Sequence, residues 1–460
     1  MEENFDRFDV VVVGGGLAGW VAAARAQEMG ATVVLIERSR RAPGWGSSII
    51  SGGVLHAVLR DPRSPPEELL STLLELTDGR ADRAVATAWA GHAHPTIAWI
   101  ESHGGRLVTD PRYPLRARVF SPVRPTVPGL QSEGFGTENF LTHLSATFLE
   151  RGGAIRRPGR ATGLAKIGPH WRVSVAADEG SQVVLGRAVV LCDGGFQANP
   201  ELLRQYVGTD QVMLRAADTG TGDALRMGLD AGGVAVNMRG FYGHILARDA
   251  LSNDELWPYP ILDQVASVGI VVGPRGDRFV DEGYGGVNTA NHIAWSGTPL
   301  DDWLIVDDAA WQHEGREGVT PPNPHLVDHG GKVLTAPTIE ELAVLAHIDP
   351  VGLGRSVADV ITDPSTSSPP RTGRLRLVTP PFHALPLVAG VTFTLGGLRV
   401  DGSARVLDTN GKAISGLYAA GGTMGGLHGG PRVGYAGGLL EAAVFGLLAG
   451  SDAAHSSKVH

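Results

Sequence analysis

Cysteine is all but missing from this chain. One residue of 460, Cys192, carries a thiol, so no internal disulfide, cysteine-bound iron–sulfur cluster or c-type haem is possible. That fits a reducing compartment. Long basic runs are missing too, and the formal net charge is −9, which argues against nucleic acid or an anionic membrane surface as a partner. The apolar stretch 10–24 is too short to span a membrane and divides into a strand and a helix. The opening residues, Met1-Glu2-Glu3-Asn4, are acidic where a secretory leader is basic. The expectation is a soluble cytoplasmic protein without membrane insertion. With 43% hydrophobic residues the chain has ample material for a large interior, and 460 residues exceed what one core usually serves, so two domains are expected.

Glycine organises the first forty residues. Asp9-Val10-Val11-Val12-Val13 is a β-branched run without polar alternation, the pattern of a buried parallel strand. Gly14-Gly15-Gly16-Leu17-Ala18-Gly19 follows, then a helix over 21–29 and a second strand over 31–36, ending at Glu37. In such a βαβ unit Gly14 permits the tight turn, Gly16 lets a pyrophosphate approach the backbone, and Gly19 lets helix and strand pack closely. The helix start, at Leu17 and Ala18, offers open N–H groups and a positive dipole end to phosphates. Glu37 suits a ribose diol and repels an adenosine 2′-phosphate. The prediction is a dinucleotide site that continues from Arg38 into a loop holding Gly46, Ser47, Ser48, Ser51, Gly52 and Gly53. Ile49-Ile50 between serines points to backbone packed against a flat ring.

Further along, residues 66–104 read as mostly helical, with Leu69, Leu70, Leu73, Leu74 and Leu76 as a core-facing stripe. The basic, proline-studded run 112–128 has no periodicity and reads as a loop. An amphipathic helix over 139–151 precedes a β-meander over 154–185, and the strand 188–191 closes on Cys192-Asp193-Gly194-Gly195. Asp218-Thr219-Gly220-Thr221-Gly222-Asp223 looks like another nucleotide loop, but no hydrophobic strand leads into it and its third glycine is misplaced; an NAD(P)H site there is rejected. Residues 240–311 are rich in aromatics, which either line a pocket in a cap or form the cap's own core. Pro364-Ser365-Thr366-Ser367-Ser368-Pro369-Pro370 reads as a linker out of it. Near the end, a small-residue strand runs into Gly421-Gly422, and a glycine-led apolar helix begins at Gly438-Leu439. Its N-terminal N–H groups suit an electron-rich group such as a reduced flavin.

These motifs, in this order, resemble the flavoproteins of the fumarate reductase and succinate dehydrogenase superfamily, which includes ketosteroid dehydrogenases and tricarballylate dehydrogenase. The similar segments are 14–37, 47–53, 188–196, 220–232, 269–282 and 381–450. The resemblance implies an α/β fold: a discontinuous Rossmann-like FAD-binding domain, with a central parallel sheet and β-meander, interrupted by an α+β capping domain. The divisions it suggests are 1–213, 214–377 and 378–460. It implies FAD as cofactor, bound without a covalent link because no histidine sits at the attachment position, and no metal. It also implies a small substrate carrying a carboxylate or carbonyl beside a CH–CH or C=C bond, hydride exchange with flavin N5, and an external electron acceptor.

Arg432, in Gly429-Gly430-Pro431-Arg432-Val433-Gly434, matches the segment in which the family grips a substrate carboxylate, and is the leading substrate contact. Tyr242, His244, Tyr284 and Tyr435 are the candidates for moving the proton. The departures are equally specific. Four residues past the glutamate of Arg278-Phe279-Val280-Asp281-Glu282 stands Gly286, not the family's proton-donating arginine. Thr392 and Phe393 replace the paired histidines, Asp193 replaces the threonine of Ala-Thr-Gly-Gly, and Gly422 replaces an acidic residue. Fumarate itself is therefore a poor expectation. An amino-acid or hydroxy-acid oxidase on the same scaffold, or a flavin-binding protein without turnover, are the alternatives.

Overall fold

The computed structural model describes residues 5–109, 118–125, 127, 132–318 and 320–459. Residues 112–117, 126 and 128 of the basic run lie outside the described residues, and Arg118–Phe120 within it is a short strand rather than loop. Strand β1 (Asp6–Val13), helix α1 (Leu17–Glu28) and strand β2 (Val33–Ile36) form the expected βαβ unit. β1 is flanked by β2 and by the strand Gly180–Leu191, both parallel to it. Val10–Val13 are 0–4% exposed, so both faces of the strand are covered and polar alternation has no place in it.

β2 pairs on its other side with Ala154–Arg156, and Gly180–Leu191 pairs with Ala413–Ala419, again in parallel. The meander strand His170–Ala177 folds back antiparallel onto the first half of Gly180–Leu191, and Arg160–Ile167 pairs antiparallel on its other side. Register is what matters for function. Val13 lies opposite both Ile36 and Leu191, and Leu191 lies opposite Ala419. Four parallel strands therefore end in line, and the chain leaves them together at Gly14, Glu37, Cys192 and Ala420, the edge where α/β sheets bind ligands.

The C-terminal helix Gly438–Val459 lies against α1. A Cβ on Gly446 would sit 2.7 Å from the Ala18 carbonyl oxygen, and one on Gly450 2.5 Å from that of Ala22. Glycines four residues apart share one helix face, and here their bare backbones allow the two helices to meet. The late glycine-led helix is thereby held beside the early glycine turn.

A second sheet is built on the long strand Phe382–Thr394, which pairs with Met213–Leu214, Phe241–Ala247, Trp303–Asp307 and Leu334–Ala336. Sequence reading placed the return to the first domain at 378. The hydrogen bonds instead tie 382–394 to cap strands, and the chain rejoins the first sheet through Arg405–Leu407 and Ala413–Ala419. A long apolar strand carries no mark of which sheet it will join.

The Arg278–Glu282 motif folds into the interior of the cap. Glu282, fully buried, takes Arg278 Nη2 at 2.8 Å and Arg371 Nη1 at 3.3 Å, and accepts the Val271 N–H at 2.7 Å. Arg278 also donates to Ser367 Oγ and the Pro369 carbonyl, and Arg371 to the carbonyls of Ser267 and Arg374. The proline-serine stretch read as a linker is thus pinned to the cap by two buried guanidiniums. Replacing Glu282 with Ala leaves both without their counter-charge. The expected loss is about 3–5 kcal/mol, seen as a lowered urea midpoint for unfolding.

Candidate cofactor and active site

The loops that leave the aligned strands surround a cavity of about 1170 Å³, including its open mouth. Gly14 turns there at φ +103°, where a Cβ would lie 2.5 Å from the Cys192 carbonyl oxygen, so only glycine fits. α1 starts with no side-chain cap, and the Leu17 N–H is met by Ser48 Oγ at 3.2 Å. The helix start therefore remains an anion-accepting surface. Glu37 is buried and receives the Gly15 N–H and the Ser39 N–H, each at 2.7 Å. Burial pushes its carboxyl above the usual range, against the pull of those bonds. The spare lone pairs on its oxygens can still take a diol.

Of the residues expected to hold a cofactor, Gly14, Gly16, Leu17, Ala18, Glu37 and Arg38 line this cavity, with Gly46, Ser47, Ser48 and Ser51 from the loop. Asp193, Gly194, Gly195, Gly421, Gly422, Gly438 and Leu439 line it as well. Three others do not. Gly19 lies inside, where a Cβ would fall 1.8 Å from the Gly14 carbonyl oxygen; it serves the helix–strand contact alone. Gly52 and Gly53 form the turn into Val54–Leu55, Gly53 at φ +72° and accepting the Phe120 N–H.

Several cavity residues carried no signal that placed them on this wall. Gln197 is buried, and its Oε1 has no hydrogen-bond partner while the side chain faces the cavity. Thr219 and Gly220, from the rejected second nucleotide loop, prove to be part of this same wall, and Arg38 donates to the Thr219 carbonyl at 3.0 Å. Arg160 arrives from the meander and forks onto Asp223 with two 2.7 Å bonds. Asp193 accepts the Ala224 N–H at 2.9 Å, and burial, with Asp223 nearby, pushes its carboxyl up to about 7. Burial also raises the Cys192 thiol, which makes it a packing residue.

Another part of the wall is aromatic. Tyr242 and Tyr435 stack with ring centroids 3.9 Å apart, and Phe393 lies 5.5 Å from the first and 5.9 Å from the second. The Tyr435 hydroxyl accepts the Gly438 N–H at 2.8 Å, at the start of the C-terminal helix. Behind them, buried His428 bonds Glu441 at 2.9 Å, and its Nδ1 accepts the Ala436 N–H. His244 is not on the cavity wall. Its ring meets Tyr242 edge-on at 5.2 Å, and its Nδ1 is 2.7 Å from Asp263, which also accepts the Ile245 N–H.

The structure does not bring Arg432 or Tyr284 to the cavity wall. Arg432 faces solvent, clamped by Asp78 at 2.6 Å and by the Glu75 carbonyl at 2.9 Å, with its guanidinium 5.6 Å from the Tyr284 ring. Tyr284 is 49% exposed. The sequence motif was read as a carboxylate grip, but a carboxylate of the chain itself occupies that grip here.

The family model for an FAD binding domain matches residues 9–436. The chain belongs to that family. It is 27% identical to a probable fumarate reductase, Ifc3, of Shewanella frigidimarina over 97% of this chain and 74% of the relative. It is 24% identical to the vinyl phenol reductase of Lactiplantibacillus plantarum over 92% of this chain and 91% of that protein. A 3-ketosteroid-Δ4-(5α)-dehydrogenase from Rhodococcus jostii shares its fold, with a TM-score of 0.75, 21% identity, and coverage of 99% of this chain and 98% of the other. The cofactor of this family member is FAD, and the chain is an FAD-dependent oxidoreductase. The cavity suits FAD on its own terms. It has an uncapped helix start, an unpaired buried amide oxygen, and at Gly46 and Gly194 open space where a side chain would stand. Among the described residues no cluster suits a metal ion and no helix is long and apolar enough to cross a membrane.

Asp193 sets a pH test. Its native proton is held until about pH 7 but leaves the unfolded chain near 3.8, the ordinary aspartate value, so its contribution to stability declines as pH rises between those values. Asp193→Asn abolishes that titration. The apo variant should gain thermal stability relative to the parent as pH goes from 5 to 8, measured by unfolding temperature.

Proposed function

We propose that this FAD-dependent enzyme reduces or dehydrogenates a carbon–carbon bond next to a carboxylate or carbonyl, with Tyr435 moving the proton at the α-carbon. The observation that carries this reading is the Tyr242–Tyr435 stack on the wall of the same cavity as the glycine loops, with the Tyr435 hydroxyl bonded to the helix start. Relatives named as a fumarate reductase, a urocanate reductase and a vinyl phenol reductase support C=C chemistry.

The role of each residue follows from its geometry. Residues Gly14 to Leu17 offer backbone N–H groups to a pyrophosphate, and Glu37 offers carboxylate oxygens to a ribose. Bound there, FAD supplies a two-electron hydride donor and acceptor at N5. Accepting the Gly438 N–H polarises the Tyr435 O–H and makes it a stronger donor. Tyr242 packs face to face on that ring and holds its orientation. His244 Nδ1 bonds Asp263, which fixes the imidazole edge-on to Tyr242 and so supports the orientation of the tyrosine pair. With that hydride exchanged at the β-carbon, Tyr435 would deliver the second proton at the α-carbon in reduction and take it up in dehydrogenation. The electrons come from, or leave to, an external partner.

The test is Tyr435→Phe. General acid–base catalysis contributes about 10²–10⁴-fold, so kcat should fall at least about 100-fold while bound FAD per chain stays at the parent level. Unchanged turnover would remove Tyr435 from the mechanism.

A further inference from the structure

With Arg432 held by Asp78, the proposed reaction still needs a group to grip the activating carbonyl or carboxylate. We infer that Arg215 is that group: a receptor for the one carboxylate of a monocarboxylic acid whose apolar, aromatic-sized body lies against Tyr242, Phe393 and Tyr435. This rests on the functional reading above.

Arg215 follows the short strand Met213–Leu214, and its own N–H donates to the Val391 carbonyl at 2.8 Å. It therefore rides beside residues 391–393 of the cap's central strand, where Thr392 and Phe393 line the cavity. Its Nη1 donates to Thr392 Oγ1 at 3.3 Å, its Nε donates to the Pro258 carbonyl at 2.9 Å, and its guanidinium lies 5.0 Å from the Tyr259 ring centroid. These bonds fix the plane of the fork and use two of its five N–H donors. No carboxylate stands within ion-pair reach of it among the described residues.

A half-buried guanidinium without a counter-charge is unfavourable unless an anion arrives. Arg215 does not itself line the cavity; it stands one hydrogen bond behind the wall, at Thr392, and a planar carboxylate matches its fork. The other arginines near the cavity are engaged: Arg160 forks onto Asp223, and Arg38 lies 3.8 Å from it. Of Arg38, Arg160 and Arg215, Arg215 alone has no carboxylate partner, which suits a ligand with one carboxylate. A dicarboxylate would set its second charge against tyrosine and phenylalanine rings, whereas an apolar or aromatic body gains contact there.

The experiment uses oxidised holoenzyme and follows perturbation of the flavin absorption spectrum. The probes are trans-cinnamate, the neutral ketone 4-phenyl-3-buten-2-one of the same shape, and fumarate. The parent should bind cinnamate more tightly than fumarate. Arg215→Ala should weaken cinnamate about 10- to 100-fold, leave the ketone within about threefold, and leave FAD content unchanged; Arg215→Lys should restore only part of the loss, because an ammonium lacks the fork. Equal weakening of acid and ketone would make Arg215 a structural residue and overturn the inference. So would unchanged cinnamate affinity, no cinnamate binding by the parent, or tighter binding of fumarate. Reoxidation of the photoreduced enzyme by the same compounds tests the function separately. If neither acid nor ketone reoxidises it while cinnamate binding still depends on Arg215, the redox reading falls and the receptor stands. If the ketone reoxidises it and the acid does not bind, the receptor falls and the redox reading stands.

Discussion

The close approach of bare backbone at one edge of a parallel sheet is the constraint on which everything else rests. Four strands end in register, and the chain turns away from them through glycine or into buried acid. At Gly14 and Gly19 a single methyl group would overlap backbone of the neighbouring segment, and at Gly446 and Gly450 it would overlap the backbone of α1. Because these contacts are backbone on backbone, the two helix starts are carried by the same rigid layer. A cofactor that touches both is then held by geometry already established in folding, with little left to order on binding.

The cap is stabilised by different means. Its sheet is built on one long apolar strand, and its irregular exit is fastened by a buried glutamate between two arginines. A charged trio inside a core is costly to assemble and adds little net stability, but it punishes any misplacement of its members. Here it fixes the segment that leads back to Phe382, and so the strand that presents Thr392 and Phe393 to the cavity.

Charge is distributed unevenly around the cavity. The wall near Glu37 holds Asp193, Asp223, Arg38 and Arg160 in a network that largely neutralises itself. The wall near Tyr242 and Tyr435 has rings, a hydroxyl-bonded helix start and, just behind Thr392, Arg215. Such a division suits a ligand that is polar and anionic along one part and flat and weakly polar along another. It also explains why a substrate site there would favour apolar bodies.

Local pattern determined a good deal. The β-branched run before Gly14, the acid at Glu37, the meander and the glycine-led final helix each follow from short-range rules of backbone freedom and strand burial. Their order was enough to imply one dinucleotide cavity, and those segments do meet. Tertiary structure alone decided the rest, because partner choice is a long-range matter. Whether Arg432 would grip a substrate or Asp78 depended on a residue 354 positions away. Whether Arg278 and Glu282 served catalysis or the core depended on Arg371. Gln197 and Arg215 sit in unremarkable stretches, and Thr219 in a glycine loop that looked like a separate site; each acquires its meaning only from what folds against it. Sequence spacing records which conformations a segment can adopt; the identity of the neighbour that completes a side chain's hydrogen bonds is settled only when distant strands come into register.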